Sequence, residues 1–161
     1  MSEIKDENDD STILIATFFI GNARFGVDAI QVQEIVPFKK TTVIHHAPTF
    51  VRGVINLRGK VVTVIDLGEK LLLGSVEQND ENRILIVDWK QENVGLLVDS
   101  MTEVIQIERT DINPPPENVN GVQASLITGV FKNVSGHLVG LLDIDKVLKM
   151  SDEQPGEPRP Q

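Results

Sequence analysis

The chain has 161 residues, 40% of them hydrophobic, enough for one ordinary domain or two very small ones with a real core. It has no cysteine, which excludes disulfides, thiolate metal sites and thiol nucleophiles and fits a reducing compartment. A net charge of −9, with one Trp and no Tyr, argues against a nucleic-acid-binding surface, which needs basic stripes and stacking groups.

Residues 1–11 are acidic and lack apolar spacing, so a disordered N-terminus is expected there. The opening MSEIKDENDD has neither the basic nor the apolar region of a signal peptide. Residues 13–20 (ILIATFFI) predict a buried strand, and 23–28 predict its partner across the Gly21-Asn22 turn. Residues 53–57 and 60–66 predict a hairpin around Arg58-Gly59. Residues 83–89 and 93–98 predict another across Lys90-Gln91-Glu92, whose turn type stays open because it holds no glycine. A last pair, 126–132 and 137–143, flanks Ser135-Gly136. Short helices are expected at 67–73 and 144–149, each preceded by an aspartate, Asp66 or Asp143, able to cap it. Residues 151–161, with three prolines, predict a flexible tail. The two ends carry much of the charge: −4 over residues 1–10 and −2 over 151–161, leaving −3 for the body. No apolar run approaches the roughly 20 residues that cross a bilayer. A cytoplasmic protein without membrane insertion is expected.

The second half aligns with the first. At an offset of 69, Gly26 meets Gly95, Glu34 meets Glu103 and Ile35 meets Val104. At an offset of 77, Gly59 meets Gly136, Val62 meets Val139, Asp66 meets Asp143 and Leu71 meets Leu148. The extra length of the second copy falls in the segment holding Pro114, Pro115 and Pro116. A copy of about 70 residues has a marginal core by itself, so two copies gain by packing on each other. The groove between them is then a natural binding place.

Four motifs stand in order along the chain: QVQEIV (31–36), FVRGVINLRGKVVTVIDL (50–67), VGLLVDSMTEV (94–104) and INPPP (112–116). Together they resemble the CheW family of bacterial chemotaxis coupling proteins, over nearly all of residues 12–150. The resemblance implies a mainly β fold of two small five-stranded β-barrels packed together, with short helices. It places the first barrel at about 12–80 and the second at about 81–150. It implies a non-enzymatic adaptor linking the cytoplasmic tips of transmembrane chemoreceptors to the regulatory domain of the histidine kinase CheA. The resemblance further implies that this domain is similar to the coupler and can pair with it barrel to barrel, with receptor tips expected in the groove. Departures from the family pattern, Thr63, Gly68 and His45-His46, bear on partner preference more than on the fold.

Candidate partner-binding residues follow. Arg58 carries a planar fork of donors suited to a carboxylate, and Glu34 is its natural partner, either paired with it or presented beside it. Gly53 and Gly59 give backbone freedom or close approach of another chain. Val27, Ile30, Val32, Ile35, Val98, Met101 and Val104 belong either to the core or to a groove that takes a receptor helix by its apolar face. Asp66 and Asp143 occupy matched places, which favours capping over acid–base chemistry and leaves a small hydrolase as the reading from another class. His45, His46 and His137 lack ligand spacing, and in a strand the first two would point to opposite faces. No cofactor, metal or catalytic residue is expected. A regulatory coupling domain of another two-component pathway is the alternative among binding proteins.

Overall fold

The computed structural model describes residues 10–149. The chain runs through β1 (Thr12–Ile20), β2 (Ala23–Asp28), β3 (Val32–Pro37), β4 (Val51–Leu57), β5 (Lys60–Asp66) and the short α1 (Leu67–Lys70). It continues through β6 (Arg83–Trp89), β7 (Glu92–Val98), β8 (Ser100–Glu108), β9 (Asn118–Val119), β10 (Val122–Gln123), β11 (Ile127–Lys132), β12 (Leu138–Leu142) and α2 (Ile144–Lys149). The four predicted hairpins form, with edges shifted by a residue or two. The expected disordered and flexible ends lie mostly outside the described residues. Within them, the Asp10 carbonyl accepts Arg109 Nε at 2.7 Å and the Ser11 carbonyl accepts the Arg109 N–H at 2.8 Å.

Turn chemistry sets the hairpins. Arg58 and Gly59 have φ of 53° and 85°, so the two-residue loop between Leu57 and Lys60 takes the mirror-image turn that matches strand twist. Lys90 and Gln91 do the same at φ of 53° and 67° without any glycine, settling the turn left open by the sequence. The helix expected over 67–73 stops at Lys70. Leu72 has φ of 63°, and the N–H groups of Leu72 and Leu73 return to the carbonyls of Glu69 and Gly68, a Schellman ending with leucine in the usual glycine place. His45 and His46 lie in an exposed turn rather than a strand.

Two five-stranded sheets result, in the orders β11-β12-β2-β1-β8 (sheet A) and β3-β6-β7-β5-β4 (sheet B). The mainly β architecture of two packed five-stranded units with short helices is as expected. In neither is the circle completed by a full ladder. In each, one isolated bridge joins the two sides: Thr42 to Val54 in sheet B and Asn113 to Val130 in sheet A. The two packed units do not divide the chain near residue 80. Sheet A takes β1 and β2 from the first copy and β8, β11 and β12 from the second; sheet B takes β3, β4 and β5 from the first and β6 and β7 from the second, and β9 pairs with β10 apart from both.

The duplication nevertheless keeps its register in the parallel pairings. β12 pairs with β2 in parallel, Gly140 opposite Phe25 and Leu141 opposite Gly26. β5 pairs with β7 in parallel, Thr63 opposite Val94 and Val64 opposite Gly95. These are the positions that the offsets of 69 and 77 equate. A Cβ on Gly26 would stand 2.6 Å from Ile15 Cγ2, and one on Gly95 the same distance from Ile84 Cγ2. The core follows: one large cluster runs through both sheets, and a smaller one (Ile13, Ile15, Phe131, Val139, Leu141) lies within sheet A.

Candidate functional site

Glu34 lies on β3, an edge strand of sheet B, and Arg58 sits at the tip of the β4–β5 hairpin. Arg58 Nη2 donates to Glu34 Oε1 in an ion pair. The side chain of Arg58 stays 69% exposed and that of Glu34 28%. The hydrogen bond from Arg58 draws the Glu34 carboxyl below its ordinary range, partial desolvation opposes this, and the charges of Arg58 and Lys39 reinforce it. The same bond pushes the guanidinium up. Asn56 Oδ1 holds the turn from beneath by accepting the Gly59 N–H at 3.0 Å. The pair therefore ties a hairpin tip to a sheet edge while most of the guanidinium still faces solvent. The sequence left open whether these two groups pair or merely neighbour each other; they pair.

The second copy has no such device. Glu103 matches Glu34, but Ser135 stands where Arg58 would be, and Glu103 has no ion pair among the described residues. The pseudo-symmetry is broken at Arg58.

The apolar candidates separate by their place in cross-strand rows. On sheet A, Val104 lies beside Ala16 and then Val27, and Met101 beside Phe18 and then Phe25. Ala16, Phe18, Phe25 and Val27 are buried between the sheets, while Val104 at the edge is 54% exposed and Met101 is half-buried. On sheet B, Ile35 lies beside Leu85 and Leu96, and Val32 beside Val87 and Val94. Ile35 is 39% exposed and Val32 half-buried, while Leu85 and Leu96 are fully buried. Each sheet thus carries a buried apolar face out to an exposed edge, and the two edges are equivalent by the repeat.

Val27 and Val98 are fully buried and belong to the core rather than to a partner-binding surface. Ile30 is 85% exposed in the turn after β2. Gly53 serves the fold: at φ of 140°, a Cβ there would stand 2.2 Å from the Thr42 carbonyl oxygen of the closing bridge. Gly59 has open space around it and serves the turn. Leu14 and Val61, both more than half exposed, were not picked out from the sequence. Leu14 was hidden inside the continuous run ILIATFFI, where alternation cannot be read.

The aspartates are structural. Asp66 is 1% exposed and accepts from the Glu69 N–H at 3.1 Å, the Val76 N–H at 3.1 Å and Arg52 Nη2 at 3.1 Å. Asp143 accepts from the Lys146 N–H at 3.1 Å. Each caps the helix that follows it, in a different sheet-end, and they form no acid–base pair. Among the described residues no helix is long and apolar enough to cross a membrane.

The CheW-like domain family matches residues 15–152. The chemotaxis protein CheW of Helicobacter pylori is 32% identical over 145 residues, covering 90% of this chain and 87% of that protein. The chemotaxis protein CheW of Klebsiella aerogenes is 31% identical over 135 residues, covering 84% and 81%. The crystal structure of the scaffolding protein TtCheW from Thermoanaerobacter tengcongensis superposes with a TM-score of 0.79 at 29% identity, covering 90% of this chain and 93% of that one. Two packed five-stranded sheets, exposed edges suited to docking and carboxylates spent on helix caps agree with these likenesses: the chain belongs to the CheW family of non-enzymatic chemotaxis scaffold proteins.

Proposed function

We propose that this chain works in the cytoplasm, coupling the tips of transmembrane chemoreceptors to the regulatory domain of the histidine kinase CheA. The observation that carries this reading is the Arg58–Glu34 pair, present in one copy of the repeat only, on the same edge strand as exposed Ile35. The pair fixes a solvent-facing guanidinium on one face of this edge, while Ile35, the next residue along the strand, carries the apolar row on the other face, so the edge offers a docked helix orientation from one side and contact area from the other. The equivalent edge at Met101 and Val104 lacks the guanidinium. The two edges therefore offer distinct surfaces, as a scaffold for two partners needs. Of the sequence candidates, Val32, Glu34, Ile35, Arg58, Met101 and Val104 form these surfaces.

The test is a binding assay with a receptor-tip fragment and the CheA regulatory domain, each measured against the unaltered chain, Arg58→Glu, and the charge swap Arg58→Glu with Glu34→Arg. Loss of one partner by Arg58→Glu with the fold intact assigns that partner to this edge. Recovery by the swap shows that the pair, rather than the cation alone, matters. Failure of the unaltered chain to bind either partner refutes the coupling role.

A further inference from the structure

The repeat gives each position at one sheet-end a counterpart at the other, and one pair of counterparts is filled differently. In sheet B, Arg52 Nη2 donates to Asp66 at 3.1 Å and to the Val76 carbonyl at 2.6 Å, so a guanidinium plugs the sheet-end. The backbone frame recurs in sheet A. The Asp66 N–H donates to the Phe50 carbonyl at 2.7 Å, and the Asp143 N–H donates to the Leu126 carbonyl at 3.0 Å. In that frame Gly53 corresponds to Gly129, each beside a bulge and a closing bridge, and Arg52 corresponds to Thr128. Thr128 is exposed and too short to reach as an arginine does. Among the described residues, the only hydrogen bond to the Asp143 carboxylate comes from the Lys146 N–H. A groove of about 530 Å³ opens there, with Asp28, Ile30, Arg109, Ile112, Thr128 and Asp143 in its lining.

We propose that this groove receives an arginine from a partner protein, its guanidinium resting on Asp143 as Arg52 rests on Asp66. The chain has already solved the problem once: the same carboxylate, on the same backbone frame, holds a guanidinium in the other copy. The lining charge also suits a cation. Asp28 and Asp143 outnumber Arg109, the one lining cation, whose Nε is engaged by the Asp10 carbonyl. Ile30 and Ile112 supply an apolar wall for an arginine stem. In the sheet B precedent one nitrogen, Arg52 Nη2, donates to both the carboxylate and the carbonyl, and the remaining guanidinium N–H groups are available to further acceptors such as Asp28 in the groove.

Amide chemical shifts of the full chain, titrated with the blocked tripeptide acetyl-Leu-Arg-Leu-amide and its citrulline counterpart, test the assignment. The arginine peptide should move the amides of Thr128, Asp143 and Ile144 and leave those of Arg52 and Asp66 in place. The citrulline peptide should bind about tenfold more weakly, the cost of replacing a charged donor by a neutral one. Asp143→Asn retains the helix cap and should lose arginine binding. Thr128→Arg should lose it too, by filling the groove from within, with the fold unchanged. No shift at these amides, equal binding of the citrulline peptide, or binding that survives Asp143→Asn overturns the proposal. So do groove shifts that grow with protein concentration alone, which make a second copy the occupant. Contacts from residues 150–161 to the groove in the free protein also overturn it, since the chain's own end would then fill the place.

Discussion

Alanine at Asp66 and, separately, at Asp143 compares one position of the repeat in two settings. Asp66→Ala removes the cap on the Glu69 N–H, worth about 1 kcal/mol. It leaves the buried Val76 N–H without its acceptor, at about 1–3 kcal/mol. It also strands the Arg52 guanidinium, whose side chain is 26% exposed, so water compensates only in part. The whole comes to about 3–5 kcal/mol, in the range for breaking a buried charge pair. Asp143→Ala removes one cap bond at a partly exposed site and should cost about 1 kcal/mol. Urea unfolding with the two slopes held equal to that of the parent reads both values. Asp66→Asn, which keeps the cap and loses the charge, should fall between. Equal losses at the two aspartates would refute the account of the sheet-ends, as would an Asp66→Ala cost below about 1.5 kcal/mol, since no more than the cap would then have been lost.

Glu34 should titrate below an ordinary surface glutamate, because the hydrogen bond from Arg58 favours its charged form. A group whose folded pKa is depressed contributes stability that is present above its unfolded value and lost as the pH falls through the folded one. The tie between hairpin tip and edge strand therefore holds at neutral pH and releases in acid. Carboxyl carbon shifts should show the Glu34 midpoint rising toward the ordinary range in Arg58→Gln, and an unmoved midpoint would show that Arg58 is not the cause. Gly53→Ala and Gly59→Ala should differ in severity. The first drives a Cβ onto the Thr42 carbonyl of the closing bridge and should cost about 3 kcal/mol or more. The second meets nothing and bears only the strain of φ at 85°, about 1–2 kcal/mol. The reverse order in chemical denaturation would contradict the roles assigned to them.

Three of the four hairpins were legible because their turn residues are local signals, Gly21, Gly59 and Gly136, and the fourth, across Lys90-Gln91, from its flanking apolar runs alone. β3 and β8 were visible only as matched motifs. Both are edge strands in which Glu, Gln and Thr interrupt the apolar residues, in adjacent pairs as Gln33-Glu34 and Thr102-Glu103, so neither presents the buried run that marked β1. The overlong first helix came from the leucines at 71–73, whose helix propensity hides a left-handed residue at Leu72. At the candidate site, Arg58 and Glu34 could be read from charge complementarity and from their absence as a pair in the second copy. Val27 and Val104 could not be told apart. They are the same residue type in the same cross-strand row, and only the position of β8 at the edge exposes one of them. The assignment of sheets to chain halves was beyond reach for a related reason: the repeat aligns equally well whichever copy supplies β1 and β2.

That exchange of strands has a consequence for folding. Within residues 10–79, the β1–β2 hairpin has no sheet neighbour, since β8 and β12 both come from the second copy. Within residues 80–149, the β6–β7 hairpin lacks β3 and β5 in the same way. An isolated two-stranded ribbon is marginal in water, and a chain of about 70 residues has little core to spare. Only three residues, Ala29–Gln31, join β2 in sheet A to β3 in sheet B, too short a connection for the hairpin to fold back easily onto its own copy. Fragments 10–79 and 80–149 made separately should therefore show little amide shift dispersion and no cooperative unfolding. Mixed, they should recover both, with a midpoint that rises with concentration because association supplies the missing strands. A folded monomer of either fragment would mean that one copy can complete a sheet alone, and that the exchange between copies is a matter of connectivity rather than a condition of stability.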